Sequence, residues 1–299
     1  MRETLQCLNS LRFRFNMEDH SSSEGTACTR GFLPADIVAL VVDHFRQDAK
    51  TLSQLSLVSR EWVHPSQCHL FSSFRIQATV SECSSQLVNL VQNLEPRLAL
   101  FVRKLTIEAG QPFITKERPR FYSQRRPADV DLTLLFSVIQ KLPYLHTLVL
   151  NACTLSGPDT SDTPCITHPL HSLSLMDVSG QTASFNALLS SIPISHSFQM
   201  LDAMVGSCLD KPEPQPMFHP SLSKVDRLLV ESNSQLIHYR LTGELYTQLL
   251  SMPSTLAHLD VGSMLSNDVM RDGMLSLIKE RGHSLKHLRL DLSYVRRKC

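Results

Sequence analysis

Apolar residues crowd into three short periodic groups over residues 32–74, and further on they settle into a spaced repeat that runs to Leu290. In the first group Ile37, Leu40, Val41 and Phe45 recur at helical spacing while Val38 and Val42 fall on a second face. A helix starting near Leu33 would thus be apolar around most of its circumference. Pro34 suits the first helical position, where its missing N–H has no intrahelical partner, and Asp36 complements the positive helix end. Thr51-x-x-Gln54 has the form of a capping box and predicts a second helix carrying Leu52, Leu55, Leu57 and Val58. Ser59 is placed to cap a third segment around Trp62, the only tryptophan, and Pro65 predicts a bend or restart after His64. Three short helices bury little surface by themselves, so the apolar excess predicts a docking face for another polypeptide.

Beyond Phe74 the form Leu-x-x-Leu-x-Leu, with apolar substitutes, recurs as Val102-Leu105-Ile107, Leu145-Leu148-Leu150, Leu170-Leu173-Leu175, Phe198-Leu201-Ala203, Val225-Leu228-Val230, Leu256-Leu259-Val261 and Leu285-Leu288-Leu290. Phe71-Phe74-Ile76 reads as an opening eighth copy. The middle residues Leu105, Leu148, Leu173, Leu201, Leu228, Leu259 and Leu288 give steps of 43, 25, 28, 27, 31 and 29 residues. Helical groups separate the copies: Leu87, Leu90, Val91 and Leu94; Leu132, Leu135, Phe136 and Ile139 capped by Asp131; Phe185, Leu188, Leu189 and Ile192 after Ser184; Leu245, Leu249 and Leu250; and a last one from Asn267 that stops at Gly282. Strand, turn and helix in repetition predict an α/β fold, a curved parallel-sheet stack with strands on the concave side and helices outside. Period-two alternation then assigns the concave face to Thr147, Val149 and Asn151; Ser172, Ser174 and Met176; Met200, Asp202 and Met204; Arg227, Leu229 and Glu231; His258, Asp260 and Gly262; and His287, Arg289 and Asp291.

Composition narrows what such a fold does. With 299 residues, 42% hydrophobic and 19% charged, the chain is long enough for two or three units with a sizeable core. A net charge of +1 supplies no global field for nucleic acid or an anionic membrane, and no apolar run reaches the roughly 18 to 20 residues of a spanning helix. Eight dispersed cysteines without a Cys-x-x-Cys pair, and no secretory h-region, point to reduced thiols in cytoplasm or nucleus. His168-x-x-His171 and the pair His283 and His287 have ligand-like spacing but lack a neighbouring Cys or acidic cluster, so no metal or other cofactor is expected. The segment 111–127 interleaves Lys116, Arg118, Arg120, Arg125 and Arg126 with Phe113, Phe121 and Tyr122, and reads as a projecting loop rather than a nucleic-acid site. Pro212, Pro214, Pro216 and Pro220 exclude a regular helix between them. No phosphate loop, nucleophile elbow or His-Glu-x-x-His helix is present, and the reading is of a protein that is not an enzyme.

Leu33-Pro34, Ile37, Leu40, then Leu57-Val58-Ser59-Arg60 and Trp62 together resemble an F-box, and the trailing His69-Leu70-Phe71 is similar to the variant common in fungal F-box proteins. Ala35-Asp36 departs from the family, where an acidic residue commonly follows the proline directly. The resemblance implies that Leu33, Pro34, Ile37, Leu40, Val41, Leu52, Leu55, Leu57, Val58 and Trp62 dock on the small linker subunit, the S-phase kinase-associated protein, of an SCF-type cullin-RING ubiquitin ligase, and through it on a cullin. The remainder resembles degenerate leucine-rich repeats, whose Asn or Cys at the ninth position survives as Cys153 and Asn233 and is replaced by Val178, Gly206, Met264 and Ser293. The implied organisation is a disordered tail over 1–31, an F-box over 32–74, and a leucine-rich-repeat-like substrate domain over 75–299 with 111–127 inserted. The implied function is substrate recognition without catalysis. An unidentified protein substrate would lie on the concave face against Arg227, Glu231, His258, Asp260, His287, Arg289 and Asp291. The alternative is a leucine-rich-repeat scaffold with no ubiquitin-ligase role, whose first helices only close the end of the stack. A third reading is a nucleic-acid-associated protein working through the basic loop.

Overall fold

Three helices open the described chain, and their ends differ from the sequence reading in informative ways. The computed structural model describes residues 33–78, 82–109, 127–157, 166–201, 204–206, 225–231, 256–261, 275, 278–279 and 282–290. The tail 1–31, the loop at 111–126, the proline-rich 208–220, the helix expected at 245–250, the start of the one expected from Asn267, and Asp291 lie outside these residues. Two units divide the chain, one ending at Ser66 and the other beginning at Gln67.

In the first unit helix α1 spans Ala35–His44. Pro34 is its N-cap, not its first helical residue, because its extended ψ of 140° aims the carbonyl at Ile37 N–H (2.9 Å) and Val38 N–H (3.1 Å). Helix α2 spans Ala49–Leu55, opened by Asp48 instead of a capping box at Thr51. The Asp48 carboxylate accepts from Lys50 N–H and Thr51 N–H, both at 3.1 Å, and from the Thr51 hydroxyl at 2.6 Å, so Thr51 is consumed as a donor to the real cap. Helix α3 spans Arg60–Leu70 and runs through Pro65 without restarting. The proline removes one N–H from the ladder, which is back in place by Phe71 N–H to Gln67 O at 3.0 Å. The division between the two units falls inside α3, and Phe74 lies in the second unit.

The second unit is built on parallel strands. In chain order it holds β1 Ser73–Ala78, α4 Cys83–Asn93, α5 Pro96–Ala99, β2 Lys104–Ala109, β3 Ala128–Asp131, α6 Leu132–Lys141, β4 Thr147–Asn151, β5 Cys153–Ser156, β6 Leu170–Met176, β7 Ser179–Gln181, α7 Thr182–Ser191, β8 Ile194–Leu201, β9 Met204–Gly206, β10 Arg227–Glu231, β11 His258–Val261 and β12 His287–Leu290. Eight strands form an open sheet in the order β1-β2-β4-β6-β8-β10-β11-β12, and β3-β5-β7-β9 form a second sheet. Every strand pair in both is parallel.

The spaced leucines explain the larger sheet. Phe74, Leu105, Leu148, Leu173, Phe198, Leu228, Leu259 and Leu288 stand opposite one another across it, and those from Leu105 to Leu259 are buried. Each buried side chain contributes about 1.5–3 kcal/mol of transfer free energy. One copy needs correction: Phe198, not Leu201, is the partner of Leu173, and Met200 is buried opposite Leu175. Both registers satisfy the apolar spacing of this stretch, and the structure keeps the aromatic ring inside. Ser197, Gln199 and Leu201 accordingly take the open-face register positions of β8, with Met200 in the core; Asp202 and the side chain of Met204 lie outside the described residues.

The second sheet has no counterpart in the sequence reading. Its strands follow β4 and β6 after a sharp corner, and the corner residues Ala152 (φ 53°) and Asp177 (φ 51°) take the left-handed conformation. Ala152 N–H donates to Met176 O and Asp177 N–H to Leu201 O, each at 2.8 Å, so the corners continue the interstrand ladder. Just past the first corner the buried Cys153 thiol donates to Asn151 O at 3.2 Å and Ile107 O at 3.6 Å.

Asp131 caps α6 as its sequence predicts, accepting from Thr133 N–H at 2.8 Å and Leu134 N–H at 3.4 Å, and Leu132, Leu135, Phe136 and Ile139 are all buried. Helix α4 packs on α6, β1 and β3, with Lys141 Nζ donating to Val91 O; α7, which begins at Thr182 and not after Ser184, packs on β5, β7 and β9. Gly282 ends the helical turn at Ile278–Lys279: its N–H donates to Ile278 O at 2.7 Å, and a Cβ there would stand 2.4 Å from that oxygen.

Candidate functional site

Two surfaces concentrate side chains that the fold leaves unused. The first lies on the N-terminal unit. Helix α1 turns Val38 and Val42 inward and, with Leu52 of α2, these are its buried apolar residues, while Leu33, Ile37 and Leu40 face solvent. Leu57 and Val58, in the turn after α2, are exposed as well. Leu40 is 67% and Leu57 65% exposed. Of the positions expected to dock, Pro34 is also exposed, and Val41, Leu55 and Trp62 are half-buried. Leu52 differs from them: at 1% exposure it is a core residue.

The second surface is the open face of the eight-stranded sheet. Parallel register puts Ser197, Arg227, His258 and His287 in one row across β8, β10, β11 and β12, and Gln199, Leu229, Asp260 and Arg289 in the next usable row. Arg289 Nη1 is 3.3 Å from Asp260 Oδ2, an exposed pair that contributes at most about 1 kcal/mol. The rings of His258 and His287 lie 6.0 Å apart. Glu231 occupies the last position of β10, in register with Leu201; its side chain, like Asp291, lies outside the described residues.

The spacing of Phe74 and Leu105 extends this face to β1 and β2, whose open-face residues the sequence reading, starting at Thr147, did not include. Arg75 and Gln77 of β1 both reach Glu108 of β2, each at 2.5 Å from Oε1. At the N-terminal margin of the strands His171 stacks on His196, centroids 4.3 Å apart and planes within 15°, and His196 Nδ1 stands 2.8 Å from Asp226 Oδ1. The chain matches no protein-family model and no curated protein. Its chemistry is therefore read from these contacts alone.

They do not assemble a metal centre. Among the described residues no group of three or more His, Cys, Asp or Glu is placed to hold an ion. His171 of the His168-x-x-His171 pair is stacked on His196, while His168 has its Nε2 buried without a partner and its basicity lowered by that burial. His283 lies in an exposed turn and His287 in β12. Among the described residues no disulfide joins Cys68, Cys83 or Cys153. Burial pushes Cys83 up to about 11 and Cys153 up to about 12, which suits packing and not nucleophilic attack. No described helix is long and apolar enough to cross a membrane.

Proposed function

We propose that the chain is a substrate-recognition adaptor of an SCF-type cullin-RING ubiquitin ligase, in which the N-terminal unit is an F-box and the sheet unit a leucine-rich-repeat-like solenoid that holds the substrate. The observation that carries this reading is the sorting of apolar side chains in the first unit. Val38, Val42 and Leu52 are its fully buried apolar residues, while Leu33, Ile37, Leu40, Leu57 and Val58 stay exposed at the positions where the F-box resemblance puts contacts with the linker subunit. Helices that only closed the end of a stack would have no reason to keep them apolar. The linker subunit would cover this face, and a target lysine would be held at high effective concentration beside the ligase's ubiquitin-loaded enzyme. The chain itself would perform no bond chemistry.

The test is reconstitution with purified linker subunit. The intact chain should co-elute with it in size-exclusion chromatography, and a Leu40→Asp/Leu57→Asp variant should not. Both positions are exposed, so the variant should keep its stability within about 0.5 kcal/mol per site, checked by Trp62 fluorescence in urea. A folded variant that still co-elutes would reject docking through this face. The companion Leu52→Ala should lose about 2–5 kcal/mol in the same titration because it empties a core position.

A further inference from the structure

We propose that the row formed by Arg227, His258 and His287 takes a carboxylate-rich peptide segment of the bound protein; this rests on reading the open sheet face as the substrate surface and adds the chemistry it selects. The register sets Arg227 opposite His258 and His258 opposite His287, so their side chains leave one face of adjacent strands at intervals of about 4.8 Å. Among the described residues no carboxylate pairs with any of the three. Of the acidic side chains described near them, Asp260 pairs with Arg289 and Asp226 Oδ1 lies 2.8 Å from His196 Nδ1. A guanidinium offers a fork of donors, and an imidazole has an N–H to give in either protonation state, so each of the three can donate to a carboxylate.

Ser197, 5% exposed, continues the row on β8 toward the middle of the sheet. An extended peptide carries alternate side chains about 6.8 Å apart on one face, between the one-strand and two-strand separations of the row, about 4.8 and 9.6 Å. Two carboxylates at alternate positions therefore reach Arg227 and one of the imidazoles together. Single-stranded nucleic acid is the poorer fit, because the row holds no Phe, Tyr or Trp for bases to stack on.

Fluorescence anisotropy on the full chain tests this with labelled peptides of alternating Glu and Ser or alternating Lys and Ser, and with a thymine oligonucleotide. The Glu peptide should bind and the Lys peptide should not. Arg227→Glu should weaken the Glu peptide about tenfold or more, as loss of a charge-paired contact does. Arg97→Glu, which makes the same change of charge at an exposed position of α5, should bind as the unaltered chain does. Equal binding of the two peptides, equal weakening by both variants, or tighter binding of the oligonucleotide would overturn the proposal. Linker-subunit co-elution on the same preparations separates the two readings: peptide discrimination without co-elution sinks the adaptor alone, and co-elution without discrimination sinks this inference alone.

Discussion

Cys83 and Cys153 are small, fully buried and chemically quiet, and their surroundings make a measurable demand on pH. Desolvation is the leading cause for both, raising them from the ordinary 9.0 to about 11 and about 12. A group raised in the folded state holds its proton there after the unfolded chain has released it. Stability is thus intact below pH 9 and is lost as the pH climbs through the interval to about 11 and 12. The urea midpoint should fall between pH 8 and 10.5, and fall less steeply in a Cys83→Ala/Cys153→Ala variant; parallel curves would refute the linkage. Neither cysteine was legible as a core residue by type alone, since eight cysteines are scattered along the chain. What separates Cys153 is its place one residue past the left-handed Ala152, where the thiol reaches Ile107 O on the next strand of the large sheet.

Elements were readable where a local signal and the tertiary fold agreed. Helix α6 shows both, with Asp131 before an apolar stripe and the whole stripe buried. In α1 and α2 the apolar spacing was right and the ends were not, because the extended ψ of Pro34 leaves it one position outside α1 and the Asp48 carboxylate caps α2 in place of Thr51. The second sheet left no readable trace: strands of three or four residues are too short to show period two, and neither Ala152 nor Asp177 advertises a left-handed corner as glycine would. Glycine matters instead inside β7. A Cβ on Gly180 would lie 3.1 Å from Leu155 Cβ and 3.2 Å from Leu155 O, with Phe185 behind at 3.4 Å. The two Leu155 contacts are tight and one is backbone, so β5 and β7 would have to part. Gly180→Val should therefore cost about 1–3 kcal/mol in a urea titration, as overpacking does. A variant as stable as the original would mean that the short sheet contributes little to holding α7.

Across the molecule, a net charge of +1 conceals how unevenly charge is laid out, and only the paired strands reveal it. Arg227, His258 and His287 are some thirty residues apart in sequence yet share a row, and no local motif announces that. Their positions followed from the repeat; the pairing of Asp260 with Arg289 and the stack of His171 on His196 needed coordinates, since spacing gives register but not rotamer. The same rows predict how stability is distributed. At one register position Leu148, Leu173, Leu228 and Leu259 are closed off from solvent, whereas Leu288, on a strand paired among the described residues with β11 alone, is 39% exposed. A side chain in the middle of the sheet is covered by two flanking layers and the helices beneath, so truncating it leaves a cavity that cannot collapse. At β12 the removed methyls were already in partial contact with water. Leu148→Ala should cost about 2–5 kcal/mol in urea unfolding followed by far-ultraviolet circular dichroism, and Leu288→Ala about 1 kcal/mol or less. Equal losses would mean that β12 is covered in solution by something that packs on Leu288 as β12 itself packs on β11.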